Sequence, residues 1–532
     1  MIQDNINKTT HRIFVASLAI STLATLVGFY LFSRFTVDDA FITWRYGQNL
    51  VEFGIWGYNP STLDLTQSYT NPIYAALSIV PAALNIDSVL FFKVLSILLI
   101  SGYLIGMVRI AANKRVAALL SISLLALPAT MIHAFSGLET FAYTVFLGFL
   151  FISLTKNNVR SATVLTAALI FIRPEAWTLT ALLPLYFFFD TNIKEPNFID
   201  GLKTRAYNFA ANKYSSLIPG LLLAIYLFSS TVYFDDPLPN TFYAKSGGNF
   251  SPAKFLTFSF FVAPTLFFLN RRNLSFGIFV IAYFSPIVLN YTTSNLQMNY
   301  AERFAFQIFF PIAMLLAFTA ANQTRVAYVS FSEDFSKVLR IPLSLVYSGA
   351  LAFFYIPFAI SSSGTSTLLA VSNDYSRVLT AHSSLGRMLA EISETYNISA
   401  FSLGDAGAAA FQSRLIALDN VGLGSRAVAR SGMSFEVLDL YSPDVVVFHS
   451  GPLGVRANAH NQGVIQEWVA QNHYLQICDI YLRSEYTLRI FSRVELPEML
   501  EVCETSRRLN DIGELAYFYT HISEPPWALW RE

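Results

Sequence analysis

The sequence predicts a polytopic α-helical membrane protein that ends in a C-terminal α/β domain. Of its 532 residues, 54% are apolar and only 13% are charged, whereas soluble domains carry about 25% charged residues. Charge-poor apolar runs recur from residue 13 to residue 360, and the rest of the chain has ordinary soluble composition. Basic and acidic residues balance at 35 each, so no basic surface indicates nucleic acid as a partner.

About eleven apolar runs are predicted to cross the lipid bilayer. The first, residues 13–32, reaches the ~20 residues that a hydrocarbon core of roughly 30 Å requires. No small-residue cleavage site follows it, which favours a retained span over a removed signal peptide. The other ten runs are residues 88–110, 116–132, 140–154, 161–172, 177–189, 217–230, 255–269, 275–289, 304–321 and 341–360.

The distribution of lysine and arginine predicts the orientation of these spans, because short cytoplasmic loops are enriched in both residues. If the amino terminus is cytoplasmic, the basic loops all fall on the cytoplasmic side. These loops are residues 114–115, 156–160, 194–213, 271–272 and 325–340. The orientation requires that the apolar stretch 72–84, which is short for a span, forms a re-entrant or interfacial helix.

The positions of the apolar runs divide the chain into three parts. Residues 1–360 form the transmembrane domain, with a first outer loop at about 34–87. Residues 361–370 are a small polar linker, and residues 371–532 form an α/β domain outside the membrane.

Charged groups at span ends are costly in lipid and mark functional sites by default. Five polar segments gather on the outer face: residues 37–71, 136–139, 173–175, 237–245 and 299–303.

Asp38 and Asp39 form an acidic pair just after the first span. A run with helical apolar spacing follows them, which predicts an amphipathic helix on the membrane surface. In a functional interpretation, one carboxylate deprotonates an acceptor hydroxyl and the other positions the acceptor or a metal. In a structural interpretation the pair caps the helix. The sequence favours function, and capping by Asp38 is compatible with catalysis by Asp39.

Other charged residues of the outer face have two interpretations as well. Lys245 and Arg303 would suit a phosphate group, Arg303 through paired hydrogen bonds, or would simply reach to the membrane surface. Arg173 and Glu175 either belong to a binding site or form a local ion pair that closes a helical hairpin. Glu139 either binds sugar hydroxyls or caps the following span.

Several common chemistries lack their usual motifs. The seven histidines show no metal-ligand spacing, and no nucleophile elbow or phosphate-binding loop appears, so hydrolases and ATPases lose support. Residues 403–407 are glycine-rich, but without the full dinucleotide fingerprint they favour a strand-to-helix turn. Cys478 and Cys503 are the only cysteines, too few for a zinc site. They could form a single disulfide if their domain faces an oxidising compartment.

The first outer loop carries VDDAFITWRYGQN at residues 37–49, GYNP at 57–60 and YTNP at 69–72. These motifs resemble those of GT-C-type integral membrane glycosyltransferases. The resemblance is greatest to the arabinofuranosyltransferase branch, which includes mycobacterial terminal arabinofuranosyltransferases and pilin-glycosylating relatives. Later segments are similar to that branch in the same order, namely residues 136–139, 173–175, 240–245, 405–407 and 419–423.

The resemblance implies an inverting transferase that moves a sugar, here arabinofuranose, from a polyprenyl-phosphate donor to a cell-envelope glycan or glycoprotein acceptor. It implies a multi-pass protein of the bacterial inner membrane whose C-terminal domain is extracytoplasmic. Asp38 and Asp39 then become base and helper, and Lys245 and Arg303 hold the donor phosphate. The implied substrate-binding residues are Glu139, Arg173, Glu175, Tyr69, Asn71 and Tyr243. The need for a divalent metal is left open, because members of the wider class differ.

One departure and two alternatives remain. At residues 61–67 the chain lacks the acidic turn of the branch, which puts the acceptor specificity in doubt and makes Asp64 a candidate substitute. A transporter or flippase of lipid-linked saccharides would also bury charges, but the inverted repeat typical of such proteins is not evident. A catalytically inactive scaffold could bind glycan through the outer domain. The acid-bearing first loop favours the enzyme.

Overall fold

The computed structural model divides into two compact units. Unit 1 comprises Met1–Ser33, Phe92–Tyr226 and Gly247–Leu369, and unit 2 comprises Arg34–Phe91, Leu227–Ser246 and Ala370–Glu532. The residues that the structure describes are 19–20, 22–189, 198–244, 249–268, 274–294, 296, 299–322, 326–329, 339–362, 365–405, 407–451, 454–455, 461–483 and 486–513.

Unit 1 is built mainly from apolar helices. Its α-helices are Thr22–Phe32, Lys114–Leu125, Pro128–Phe135, Thr140–Thr155, Val159–Ile172, Leu179–Phe189, Phe198–Asn212, Pro252–Val262, Leu274–Thr293, Arg303–Asn322 and Leu343–Ser361. Short 3-10 helices lie at Pro174–Thr178, Tyr214–Leu217, Ala263–Phe268 and Tyr300–Glu302, and helices Ser88–Ile110 and Ile218–Phe234 have residues in both units. Strands Val326–Val329 (β1) and Leu339–Pro342 (β2) pair antiparallel.

The helical membrane class is confirmed. Among the described residues, five helices are long and apolar enough to cross a membrane, or six if the bent pair Lys114–Leu125 and Pro128–Phe135 counts as one span. That pair bends by 71° where Leu127 precedes Pro128, a residue pair that disfavours continued helix. All eleven predicted runs contain helix. The shorter apolar helices are Thr22–Phe32, Pro72–Leu84, Thr140–Thr155 and Val159–Ile172.

Helix Arg303–Asn322 lies at the centre of unit 1. It is apolar on nearly every side, and 17 of its 20 residues are buried, as expected for a helix surrounded by other helices. It packs against Thr140–Thr155, Leu343–Ser361, Lys114–Leu125 and Pro252–Val262. Ring stacking between Phe309 and Phe358, with centroids 4.3 Å apart, is one of these contacts. The first residue of the central helix, Arg303, is thereby held at a buried position.

Unit 2 contains the predicted α/β domain. Its α-helices are Asp38–Phe53, Pro72–Leu77, Ile79–Leu84, Thr241–Ala244, Ala408–Ser413, Arg426–Ser431, Phe435–Tyr441, Gln462–Gln471 and Pro497–Asp511, together with most of Thr365–Tyr396. Its strands are Ala400–Leu403 (β3), Ile416–Asp419 (β4), Val445–Gly451 (β5), Gly454–Val455 (β6), Leu475–Arg483 (β7) and Tyr486–Ser492 (β8).

The sheet of unit 2 has the order β4-β3-β5-β8-β7, and β6 pairs with β5. Strands β3, β4 and β5 are parallel neighbours, whereas β8 and β7 add an antiparallel hairpin. In β5 the run Val445–Gly451 is buried along six of its seven residues, as expected for a central strand covered on both faces. A disulfide between Cys478 and Cys503 joins β7 to helix Pro497–Asp511.

The first outer loop and the C-terminal domain share one core. Ile42, Tyr46 and Tyr58 belong to the same buried cluster as Leu385 and Val445. Composition had divided the chain at residue 360, but this shared core places residues 34–91 and the C-terminal domain in one compact unit. The predicted linker is also partly regular, because residues 365–370 are the start of helix Thr365–Tyr396.

The helix predicted after the acidic pair is present as Asp38–Phe53. Its position differs from that of a simple amphipathic surface helix, because 11 of its 16 residues are buried. The buried set includes the polar residues Arg45, Gln48 and Asn49. Buried polar groups need hydrogen-bond partners, and Arg45 and Asn49 find theirs in other segments of unit 2. The helix is therefore a core element of that unit.

Candidate functional site

The acidic pair occupies the first turn of helix Asp38–Phe53. The N-cap is Val37, which offers no side-chain cap bond, so neither aspartate caps the helix. The capping interpretation of Asp38 is therefore wrong. Instead its Oδ2 accepts a hydrogen bond from the backbone N–H of Gly407 at 2.9 Å, and its Oδ1 accepts one from Ala408 at 2.7 Å. Asp38 joins the first outer loop to the C-terminal domain.

Gly407 permits this close approach. A Cβ atom at residue 407 would lie 2.2 Å from the backbone oxygen of Asp38 and 2.4 Å from its Oδ2, distances far below normal contact. Strand β3 ends at Leu403 and helix Ala408–Ser413 begins directly after Gly407. The strand-to-helix turn predicted at residues 403–407 is confirmed, and its glycine serves the contact with Asp38.

The two aspartates differ in their surroundings. Asp38 is buried, and its burial together with the nearby carboxylates of Asp405 and Asp39 raises its pKa well above the ordinary value, against the two backbone N–H bonds. Asp39 is only half-buried, and the structure records no hydrogen bond from a described residue to its carboxylate. The Asp38 carboxylate is thus fixed by its hydrogen bonds, and Asp39 is the more accessible carboxylate.

Further motif residues of the first outer loop bind β4 of the C-terminal domain. Asn59 accepts from the N–H of Ala417 at 2.9 Å and donates to its carbonyl at 3.2 Å, so its amide pairs with the strand as a neighbouring strand would. Arg45 donates to the Leu415 carbonyl and to the Asn59 side chain, and its guanidinium lies 4.8 Å from the centre of the Tyr58 ring. These residues hold the loop in place.

Asp64 has a similar role. Its Oδ2 accepts hydrogen bonds from the Ser425 hydroxyl at 3.0 Å, the Arg426 N–H at 3.1 Å and the Tyr441 hydroxyl at 2.9 Å. Its Oδ1 accepts from the Thr66 hydroxyl at 2.7 Å. The carboxylate is therefore occupied by groups of unit 2. Whether it substitutes for the missing acid in sugar binding stays a prediction, but its visible contacts are structural.

The segment at residues 237–244 is tied to the same domain. Asn240 donates through Nδ2 to the carbonyls of Gly422 at 2.6 Å and of Leu423 at 3.1 Å. Tyr243 donates to Asp236 at 3.1 Å, and the guanidinium of Arg430 lies 4.7 Å from the centre of its ring. Lys245, the predicted phosphate ligand, lies outside the described residues, so its role stays a prediction.

Tyr69 and Asn71 are buried within unit 2. The Tyr69 hydroxyl accepts from the indole N–H of Trp56 at 3.1 Å, and its ring packs edge-on against Tyr46. Asn71 accepts from the Thr43 hydroxyl at 3.2 Å and precedes helix Pro72–Leu77. Both side chains hold the first outer loop against helix Asp38–Phe53. Their predicted contact with substrate, like that of Tyr243, stays a prediction.

In unit 1 the structure brings four predicted site residues into one ion-pair cluster. Arg173 bonds Glu139 at 2.6 Å through Nη1 and binds Glu175 through two parallel bonds of 3.1 and 2.7 Å. Arg303 lies 3.8 Å from the same oxygen of Glu139 and donates to the Thr140 hydroxyl at 3.2 Å. Two cations and two anions make the cluster neutral.

Local structure places each member of this cluster. Gly137 adopts a left-handed conformation with φ of 82° between two helices, a conformation that glycine adopts without steric cost. Glu139 follows at the N-cap of Thr140–Thr155 but makes no cap bond, so the capping interpretation is wrong here too. Arg173 ends helix Val159–Ile172, and Glu175 stands in the following 3-10 turn. The local ion pair proposed for Arg173 and Glu175 is present.

The electrostatics of the cluster favour charged side chains. Burial raises the pKa of Glu175, but the guanidinium of Arg173 more than offsets this, and the pKa lies below its ordinary value. The Tyr291 hydroxyl contributes a further bond at 3.0 Å to Glu175. Because Arg303 makes its contact with Glu139 at a longer distance than Arg173 does, it is the cation of the cluster best suited to bind another anion.

The structure therefore groups the predicted residues into two sets. Unit 1 holds Glu139, Arg173, Glu175 and Arg303, and unit 2 holds the acidic pair with Tyr69, Asn71 and Tyr243. That all of them line one cavity stays a prediction.

One cluster of ligand-type side chains was not predicted from the sequence. His382, Asp405 and His449 offer ligand atoms that all lie within 4.8 Å of one another. They are far apart in the sequence, so ligand spacing could not reveal them. The usable signal was topological: Asp405 lies two residues after the end of β3, and His449 lies in the neighbouring strand β5.

Comparisons with known proteins add little at the level of sequence: no family model matches the chain, and no curated protein matches it. Three solved structures of oligosaccharyltransferase from the archaeon Archaeoglobus fulgidus are similar in fold. One, AglB in complex with an inhibitory peptide and a dolichol-phosphate, has a TM-score of 0.44 and 11% identity over 89% of this chain and 74% of that chain.

The other two give nearly the same values. The structure tethered with an acceptor peptide has a TM-score of 0.43 and 11% identity over 89% of this chain and 74% of that one. The apo form has a TM-score of 0.43 and 12% identity over 93% of this chain and 78% of that one. These scores and identities are low, and the similarity does not bear on the activity of this chain.

Proposed function

We propose that the protein is a membrane glycosyltransferase that takes a sugar from a polyprenyl-phosphate donor. The observation that carries the proposal is the unequal acidic pair. Asp38 is fixed by two backbone N–H groups, while Asp39 beside it is half-buried and more accessible. A general base must reach the proton that it removes, so the accessibility of each carboxylate decides between the two aspartates before its pKa does. Asp39 therefore is the base, and Asp38 is the residue that positions it.

The reaction is a single displacement. Asp39 removes the proton from an acceptor hydroxyl while the acceptor oxygen forms a bond to the anomeric carbon of the sugar. The bond between that carbon and the phosphate oxygen breaks, and polyprenyl phosphate leaves with the electron pair. The products are the glycosylated acceptor and polyprenyl phosphate, and the proton on Asp39 passes to solvent.

The leaving phosphate needs fixed positive charge, because charge that develops in the transition state is stabilised best by groups already in place. Arg303 is the proposed phosphate ligand in unit 1. Its guanidinium makes one bond of 3.2 Å to the Thr140 hydroxyl and a longer contact of 3.8 Å to Glu139. Arg173 is less suited, since two glutamates already occupy it. Lys245 is retained as a second phosphate ligand on the sequence resemblance.

The identity of the sugar rests on the sequence resemblance alone. Motif similarity supports arabinofuranose, a cell-envelope glycan or glycoprotein as acceptor, and a site on the outer face of a bacterial inner membrane. The apolar helices supply the physical reason for a lipid-linked donor: its chain dissolves in the bilayer while its phosphate meets cations at the membrane surface.

A donor panel tests the proposal. The full chain, purified in detergent, is mixed with polyprenyl-phosphate-linked pentoses and hexoses, and thermal unfolding is followed. One donor raises the unfolding temperature and transfers its radiolabelled sugar to cell-envelope glycan. Arg303→Gln weakens this stabilisation by the donor, whereas the exposed control Lys203→Gln, 74% exposed, leaves it unchanged. If no donor stabilises the protein and none is consumed, the proposal is wrong.

A further inference from the structure

The parallel pairing of β3 and β5 sets two ligand-type residues at one level of the sheet. Phe401 pairs with Val445 and Ser402 with Val446. Asp405 lies three residues beyond Ser402, and His449 lies three residues beyond Val446. The register therefore brings them side by side near the carboxyl ends of two parallel strands, the edge where α/β sheets commonly bind ligands. His449 Nε2 is 3.8 Å from Asp405 Oδ2.

A third ligand comes from helix Thr365–Tyr396. His382 lies on the buried face of this helix between Ala381 and Leu385, and only 1% of its surface is exposed. Its ring centre is 6.1 Å from that of His449, at an interplanar angle of 80°. The ligand atoms of His382, Asp405 and His449 all fall within 4.8 Å of one another. A helix and two strands thus converge on one point.

Tyr486 orients one of the two imidazoles. Its hydroxyl is hydrogen-bonded to Nδ1 of His449, and the two rings stack at 22°. With Nδ1 engaged there, Nε2 is the atom directed toward Asp405. Metal-binding histidines commonly use one ring nitrogen for the metal while the other is fixed by such an outer hydrogen bond. The outer bond is therefore already in place.

We propose that His382, Asp405 and His449 bind one divalent transition-metal ion, with Zn²⁺ as the best match. Two imidazoles and one carboxylate suit zinc and similar ions, and three protein ligands leave a coordination position open for water or an oxyanion. Zinc bonds of about 2.0–2.1 Å require the ligand atoms to close by roughly 1 Å. The half-buried Asp405 can supply part of that movement, since 33% of its side chain is exposed.

An ion at this point would also act on the acidic pair. Asp405 precedes Gly407 by two residues, and Gly407 donates to Asp38. The carboxylates of Asp405 and Asp39 each repel that of Asp38, and a divalent cation bound to Asp405 would offset the repulsion that comes from Asp405. The inference goes beyond the proposed transferase, because metal binding is measured without any sugar donor or acceptor.

Metal titration of the full chain tests the inference. The protein is purified without a histidine tag, stripped with chelator and titrated with Co²⁺, whose visible absorption reports coordination, and then with Zn²⁺, measured by elemental analysis. We expect one equivalent of either ion. His382→Ala, His449→Ala and Asp405→Asn each weaken binding by more than about 100-fold, and Tyr486→Phe weakens it by about 10- to 100-fold.

Controls separate loss of a ligand from loss of folding. His473→Ala and Asp511→Asn change exposed residues of the same unit, and we expect them to bind metal as the wild type does. Asp405→Asn keeps its shape at a partly exposed position, so it decides the question if either histidine variant fails to fold. The inference is overturned if the wild type binds no Co²⁺ or Zn²⁺, or if binding is the same in folded Asp405→Asn.

Discussion

The ion-pair cluster of unit 1 and the acidic pair of unit 2 bury carboxylates in opposite ways. In unit 1, Arg173 bonds both Glu139 and Glu175, and the pKa of Glu175 falls below its ordinary value. In unit 2, burial and then the neighbouring carboxylates of Asp405 and Asp39 raise the pKa of Asp38. A neutral cluster suits a structural role that keeps its charges fixed. A surplus of negative charge suits proton transfer or cation binding.

The two regions should also respond to pH with opposite sign. A carboxyl whose pKa is lowered by folding, such as Glu175, contributes stability that is present above its unfolded pKa and is lost as the pH falls. A carboxyl whose pKa is raised, such as Asp419 in unit 2, contributes stability that is present at low pH and is lost as the pH rises.

Arg173→Ala should have the largest effect on stability. It leaves Glu139 and Glu175 buried without their shared cation, and breaking a buried pair in this way costs about 3–5 kcal/mol. We expect that much less of this variant than of the wild type stays folded after heating in detergent. The control is Lys203→Ala, whose ion pair with Asp200 is exposed and should change nothing measurable. Equal survival of both variants would show that the cluster is not structural.

Removing the disulfide should destabilise unit 2. Cys478 and Cys503 are separated by 25 residues, and closing a loop of that size stabilises a fold by about 3.5 kcal/mol in the chain-entropy model. Cys503→Ser, or reduction of the wild type, should lower the midpoint of thermal unfolding. The reductant should leave the Cys478→Ser/Cys503→Ser double variant unchanged. A wild type that reductant does not affect would contradict the expectation.

Asp419 tests the pH dependence of unit 2. Burial raises its pKa to about 6 despite hydrogen bonds from the N–H groups of Gly424 and Val421. Its contribution to stability is fully present below about pH 3.8 and is lost as the pH rises through about 6. The stability of the wild type relative to Asp419→Asn should therefore fall by about 2.5 kcal/mol between pH 4 and pH 7. A stability difference that stays constant or rises with pH would contradict this prediction.

Gly407→Ala should have a smaller but local effect. The new methyl group would meet Asp38 within 2.4 Å, and such overpacking costs about 1–3 kcal/mol. We expect reduced thermal stability together with reduced sugar transfer, because Asp38 positions Asp39. Gly349→Ala, where nothing lies within 4 Å of the added atom, is the control and should lose neither. A fully active Gly407→Ala would remove the positioning role of Asp38.

The sequence was sufficient to predict the helical class and the residues of each charged region. The lengths of the apolar runs predicted the helices, because a helix that crosses a bilayer needs a length that few other apolar segments reach. Asp38, Glu139, Arg173 and Glu175 could be singled out because charge is costly next to lipid. The pairing of Arg173 with Glu175 could be predicted because they are two residues apart. The partners of Asp38 could not, since the N–H groups that hold it belong to residues 369 and 370 positions further along the chain.

The same limit explains two interpretations that were wrong. An acid at the start of a helix is usually interpreted as a cap, but Asp38 and Glu139 both bond to groups from distant segments. The His382, Asp405 and His449 cluster was missed for the same reason, since it is created by the register of β3 against β5 and by the packing of one long helix. Long-range pairing of this kind leaves no local pattern.

The most direct measurement compares sugar transfer in folded Asp39→Asn with that of the wild type. The expected result is a loss of about 10²- to 10⁴-fold, with thermal stability and donor-induced stabilisation kept. Asp38→Asn should lose both transfer and stability, and the control Asp235→Asn, whose side chain is 95% exposed, should lose neither. Transfer at full rate in Asp39→Asn would contradict the assignment of the base, and full rate in both Asp38→Asn and Asp39→Asn would contradict the transferase proposal itself.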